Sequence, residues 1–134
     1  MHAAVLDSFA LLAYLRCEPG HKAVLAALRK AKDGQLTLSM TEVNYAEVKY
    51  IVLRKGGPAQ WRVVEALLSV LPITFHPVDR VLADRAAEYK ALFKMSLADA
   101  CATALAKKLD AVLYTGDPEF EALKAEIRLH MLEQ

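Results

Sequence analysis

Glycine and proline occur only five times each in 134 residues. That is too sparse for long flexible linkers or a low-complexity tail. Cysteine is scarcer still: Cys17 and Cys101 are the only two. They share no metal-type spacing and are expected as buried or inert thiols rather than a disulfide, in a reducing cytoplasm. No stretch approaches the roughly 18 uninterrupted apolar residues of a membrane span. The start Met1-His2-Ala3 lacks the basic region and cleavage pattern of a signal peptide. Together these absences predict a cytoplasmic protein without a membrane partner. Neither sign of charge dominates, with 17 basic against 16 acidic residues and a formal net charge of +1. Overall charge therefore argues neither for nor against a polyanionic partner. The four histidines, His2, His21, His76 and His130, are scattered without zinc-type spacing.

What is present is apolar side chain in quantity: 55% of residues, against 25% charged. This suits one globular domain over residues 1–134 with a single substantial core. Short apolar runs alternate with longer helical patterns. Strands are predicted near 3–6, 36–39, 72–76, 111–115 and 127–131. Helical segments are predicted near 8–16, 20–32, 41–55, 59–71, 79–93, 96–109 and 118–125. Gly34 stops the second helix, and Gly56-Gly57-Pro58 separates the third from the fourth. Strands divided by helices pair in parallel through right-handed crossovers. The predicted fold is therefore α/β: a three-layer α/β/α sandwich around a parallel sheet of four to five strands.

Four carboxylates stand out against this apolar background. Asp7 ends the run Ala3-Ala4-Val5-Leu6, and Asp117 follows Ala111-Val112-Leu113-Tyr114-Thr115 after one glycine. Both thus fall just beyond the carboxyl ends of strands, where parallel sheets bind ligands. Glu47 lies on a mostly apolar helical neighbourhood of Val43, Tyr50 and Ile51, with Arg54 two turns on as a distant partner. Asp99 sits three residues after Ser96 in a pattern resembling a capping box. Asp7 and Asp117 equally fit helix N-caps, Ser8 being a second candidate cap and Pro118 a suitable first helical residue. Gly116 permits a tight turn, and Thr115 offers a hydroxyl beside Asp117. Capping explains three of the acids one at a time, whereas Glu47 has no cap to provide. Clustered carboxylates repel and raise one another's pKa unless a cation compensates. An all-oxygen set of this kind favours Mg²⁺ or Mn²⁺.

The same residues carry a family resemblance. Val5-Leu6-Asp7-Ser8-Phe9-Ala10-Leu11-Leu12, Asn44-Tyr45-Ala46-Glu47-Val48, Leu97-Ala98-Asp99-Ala100 and Thr115-Gly116-Asp117-Pro118-Glu119-Phe120 occur in order along nearly the whole chain. The chain resembles PIN-domain nucleases, and especially VapC-type toxins of prokaryotic toxin–antitoxin pairs. Its short length looks more like a free-standing toxin than a large processing factor. The resemblance implies metal-dependent endoribonuclease activity, with RNA as substrate. It also implies a homodimer and a cognate antitoxin protein that holds it inactive. Asp7, Glu47 and Asp99 are then expected to hold a principal Mg²⁺ or Mn²⁺ ion. Asp117 would hold a second, directly or through water, with Thr115 and Ser8 in support.

Basic groups must flank such acids if RNA is to approach. Lys49, Arg54 and Lys55 follow Glu47, and Arg80 and Arg85 lie on another helix. Tyr14, Tyr45, Tyr50 and Trp61 are candidates for base stacking, with core packing the plainer role. The apolar helix 59–71, with Val63, Val64, Leu67, Leu68 and Leu71, is expected to be core or a dimer or antitoxin contact. Two other classes are weighed against this reading. An aspartyl-phosphate phosphatase would carry a second Asp two residues after the first, where Phe9 stands, and a receiver domain fits the third strand and C-terminal segment poorly. A non-catalytic or housekeeping RNA-binding or RNA-processing protein on the same scaffold would bind RNA with the acids dispensable for binding.

Overall fold

The computed structural model describes residues 2–134. Five strands form one sheet: β1 (His2–Leu6), β2 (Leu36–Thr41), β3 (Thr74–His76), β4 (Val112–Thr115) and β5 (Arg128–Met131). Their spatial order is β3-β2-β1-β4-β5, and every neighbouring pair is parallel. Each connection therefore had to cross over the sheet, and helices supply the crossovers. These are α1 (Ser8–Leu15), α2 (His21–Lys32), α3 (Glu42–Leu68), α4 (Arg80–Leu92) and α5 (Leu97–Leu109), with a short 3-10 helix over Pro118–Leu123.

Strand alternation sorts side chains between two apolar cores. Ala4, Leu6, Leu38 and Met40 point to one face, where α1, α2 and α3 cover them with Leu11, Val24, Leu28, Val48 and Val52. Val5 and Leu113 point to the other, beneath Leu82 and Ala86 of α4 and Ala102 and Leu105 of α5. The result is the expected three-layer α/β/α sandwich, with all five predicted strands present. Small residues 98, 100, 102, 104 and 106 of α5 are all alanine and buried, so this helix lies close on the sheet.

The expected separation of two helices at Gly56-Gly57-Pro58 is present: α3 is two helical runs that meet at a kink. Gly57 leaves helical geometry at φ 76°, ψ −178°, a region open essentially to glycine alone. Pro58 then starts the second half at a position where its missing N–H is harmless. Of the two cysteines, both free, Cys101 is buried as expected while Cys17 is exposed. Among the described residues no helix is long and apolar enough to cross a membrane.

The strand order sets where a ligand can enter. From β1 the chain moves outward through β2 to β3, then returns to place β4 on the other side of β1. Connections leaving β1 and β4 diverge to opposite faces, opening a crevice between their carboxyl ends.

Candidate metal centre

Asp7 and Asp117 follow the two strands that flank this crevice. The Asp7 N–H still donates to the Tyr114 carbonyl (3.2 Å), extending the β1–β4 ladder by one bond. The Asp7 carboxylate then turns into the start of α1, where Ala10 N–H donates to its Oδ1 at 2.8 Å. Asp7 is thus the cap of α1, and Ser8 is its first residue. On the other strand, the Asp117 N–H donates to Thr115 Oγ1 (3.1 Å), while Asp117 Oδ1 accepts from Glu119 N–H (2.9 Å). Two helices complete the site from above. Thr41 caps α3, and Glu47 stands in its second turn. Ser96 caps α5 by accepting from Asp99 N–H at 3.1 Å, as the capping-box pattern predicted.

All four carboxylates line one cavity of about 400 Å³, together with Ser8, Phe9, Leu12, Ile51, Gly116, Pro118 and Gln134. No basic side chain is among these lining residues, so the negative charge is uncompensated. Burial pushes the Asp7 carboxyl up to about 7; bonds from the Thr115 hydroxyl and Ala10 N–H oppose the rise, while Asp99 and Glu47 add to it. Asp7 is only 1% exposed. Burial likewise raises the pKa of Asp99, opposed by Ser96 and reinforced by Asp117 and Glu47. The four acids therefore act on one another electrostatically, each like charge favouring the neutral form of its neighbour.

The donor set fits a hard divalent cation: carboxylate and hydroxyl oxygens, with no sulfur or imidazole in the lining. Among the described residues, no three His, Cys, Asp or Glu side chains are already arranged to hold a metal ion. The cavity collects the donors without closing them into a coordination shell.

The expected partners of Glu47 are rearranged. Arg54 forms no ion pair with it; its guanidinium lies over the Tyr50 ring, 4.9 Å from the centroid. The Tyr50 hydroxyl in turn donates to Glu47 Oε2 at 3.5 Å. Lys49 sits over Trp61 at 5.4 Å, and Lys55 lines a separate cleft between α1 and α3 with Leu15 and Arg16. None of the three lines the acidic cavity. Tyr45 packs edge-on against Trp61 and Phe75, the core role rather than base stacking. Val64 and Leu68 of the 59–71 helix are buried, whereas Val63 is exposed.

Four residues to which the sequence assigned no functional part stand at or near the site. Phe9 and Ile51 form an apolar wall beside the acids. Lys94 pairs loosely with Glu119 at 4.0 Å, near Asp117. Asn44 is fully buried behind the site; a polar residue inside an apolar helical pattern was the available signal.

Comparison with known proteins places the fold among known ones. The PIN domain family model matches residues 4–126. No curated protein sequence matches the chain. Among solved structures, DNA-bound VapBC from Salmonella typhimurium superposes with a TM-score of 0.76 at 18% identity, covering 98% of each chain. VapBC2 from Rickettsia felis, bound to a DNA fragment from its promoter, gives 0.75 at 15% identity, over 98% of this chain and 99% of that one. Mycobacterium tuberculosis VapC20, described as a Sarcin-Ricin loop cleaving toxin, gives 0.71 at 18% identity, over 92% and 95%.

Proposed function

This chain belongs to the PIN domain family, and from that premise we propose that it is a divalent-metal-dependent endoribonuclease, the toxin of a toxin–antitoxin pair. The observation that carries the reading is the uncompensated cavity in which Asp7, Glu47, Asp99 and Asp117 meet from four separate segments. Asp7, Glu47 and Asp99 would hold Mg²⁺ or Mn²⁺, and Asp117 a second ion, with Thr115 orienting its neighbours. Such an ion, when bound, lowers the pKa of an attacking water and neutralises charge on the scissile phosphate.

The protein's own contribution is to fix the donors in advance. Asp7 is immobilised by Ala10 N–H and the Thr115 hydroxyl, and Asp117 by its bond to Glu119 N–H. A carboxyl with a pKa near 7 also exchanges its proton readily at neutral pH, so cation entry displaces a proton there. The apolar wall of Phe9 and Ile51 limits water on one side of the cavity and offers a ring face to an unstacked base. Arg54, stacked on Tyr50, with Lys49 and Lys55 on the same helix, would draw the RNA backbone towards α3.

The toxin assignment is supported by relatives of the same fold and nearly the same length, described as VapBC complexes or, for one, as a toxin that cleaves the Sarcin-Ricin loop. In that setting the partners are RNA, a cognate antitoxin and a second copy of the chain, in the cytoplasm. The test is cleavage of total RNA with and without MgCl₂ or MnCl₂. Wild type should cut only with the cation, and Asp7→Asn and Asp99→Asn should each lose at least about a hundredfold in rate, since even outer-shell changes cost ~10–100-fold. Wild-type rates in both variants would overturn the assignment. RNA binding without cleavage would point to a non-catalytic module.

A further inference from the structure

Asn44 is the third residue of α3, with no accessible surface. Its bonds leave its own helix. Locally it behaves as a cap partner: its N–H donates to Thr41 Oγ1 (3.0 Å), and the Thr41 hydroxyl donates to its Oδ1 (2.5 Å). The two Nδ2 hydrogens do something a cap does not require. One goes to Ser8 Oγ (3.1 Å) at the start of α1, and the other to the Ala98 carbonyl (3.2 Å) at the start of α5. Ser8 closes the link by donating back to the Asn44 carbonyl at 3.3 Å. A primary amide has two donor hydrogens, and each here is spent on a different helix.

Each residue gripped in this way neighbours a carboxylate. Ser8 follows Asp7, Ala98 precedes Asp99, and Glu47 lies three residues, about one turn, beyond Asn44 itself. Three segments bearing mutually repelling charges thus converge on one neutral, buried carboxamide. Backbone packing brings the helix starts near one another; the amide fixes their separation through directional bonds at a place without water. Neutrality matters as well. An aspartate of the same shape would set an anion against the Ala98 carbonyl and add to the existing repulsion.

We propose that Asn44 is the positioning residue of the site, a three-way tie that sets the spacing of Asp7, Glu47 and Asp99 for cation binding. This rests on the metal-dependent nuclease reading above and assigns Asn44 no contact with substrate.

Asn44→Ala, Asn44→Asp and Ser8→Ala, with Asp7→Asn and Glu47→Gln alongside, test it. Each protein's melting temperature is measured first. Mn²⁺ affinity (by electron paramagnetic resonance) and RNA-cleavage kcat and KM are then measured well below the melting transition. Asn44→Ala and Asn44→Asp should weaken Mn²⁺ binding by ~10–100-fold, as outer-shell partners of metal ligands do. Their kcat should fall with it, while KM stays within about threefold because no RNA contact is lost. Ser8→Ala, which cuts one leg of the tie, should show a smaller loss of the same kind. Folded Asn44 variants with wild-type Mn²⁺ affinity and kcat would reduce Asn44 to a stability role and overturn the proposal. If they do not fold, wild-type Mn²⁺ affinity in Ser8→Ala overturns it. Loss in Asp7→Asn and Glu47→Gln but not in the Asn44 series defeats the positioning role alone. Wild-type behaviour in both carboxylate variants defeats the nuclease reading and this inference with it.

Discussion

Asp7 is where function and stability pull hardest against each other. Its carboxylate is enclosed, capped onto α1 and faced by two other acids, and burial lifts its pKa from 3.8 to about 7. An acid whose pKa is higher in the folded chain binds its proton more tightly there. The folded state is therefore favoured most below the unfolded value, and stability is lost as pH rises from about 4 through 7. The metal-free protein should melt at progressively lower temperature across that window. Asp7→Asn can keep the cap, because asparagine accepts from Ala10 N–H as aspartate does. Thermal melts of the two proteins in chelator should therefore diverge with pH, the variant becoming the more stable by a few kcal/mol near pH 8. Parallel melting curves from pH 5 to 8 would show that Asp7 is not under this strain. Glu47 differs in kind. It is half-buried, caps nothing, and its aromatic neighbour Tyr50 hands it a hydroxyl. That makes it the acid whose place in the sequence pointed most directly to the site.

At the level of elements, the helix starts do double duty. Asp7 and Asp117 are both cap and cavity wall, and Asp99 is the third residue of α5, its N–H bonded to the capping Ser96 hydroxyl and its carbonyl accepting from Thr103 Oγ1. A helix beginning at the carboxyl end of a strand allows one carboxylate both to cap and to face the cavity. The β4 turn adds a packing condition. A Cβ on Gly116 would clash with the edge of the Phe9 ring, so glycine here answers to close approach rather than to backbone angles. Gly116→Ala should cost ~1–3 kcal/mol by overpacking. In Phe9→Ala the obstruction is gone, and adding Gly116→Ala should then cost well under half as much. A double-mutant cycle from denaturant melts measures this coupling, and additive losses would refute the contact. The kink in α3 was legible as a break at Gly56-Gly57-Pro58. The direction in which the second half leaves the first was not, because it depends on what each half packs against.

For the whole molecule, four like charges in one cavity call for a counter-ion. A cation that binds the folded chain and not the unfolded one stabilises by mass action, about 2.7 kcal/mol at a hundredfold excess over its Kd. MgCl₂ or MnCl₂ should therefore raise the melting temperature of wild type and leave that of Asp7→Asn nearly unchanged. Because Asp7 is partly protonated near pH 7, binding should also release up to about one proton. Calorimetry in buffers of different ionisation enthalpy counts it. Equal melting temperatures in chelator and in excess cation would leave the acidic cavity without its proposed ligand.

The chain order alone determined the parallel α/β/α architecture, since alternating short apolar runs and helical patterns leave few other ways to bury both faces of a sheet. It also marked the four acids, because a carboxylate interrupting an apolar pattern is costly wherever the chain finally goes. Convergence belonged to the tertiary structure. The return of β4 to the free side of β1 put Asp7 and Asp117 on one crevice, and the crossing of α3 and α5 brought Glu47 and Asp99 over it. The contacts behind the proposed role of Asn44 belong there too. Its sequence neighbours are local, but its amide hydrogens end 36 and 54 residues away, and hydrogen bonds depend on distance in space rather than along the chain.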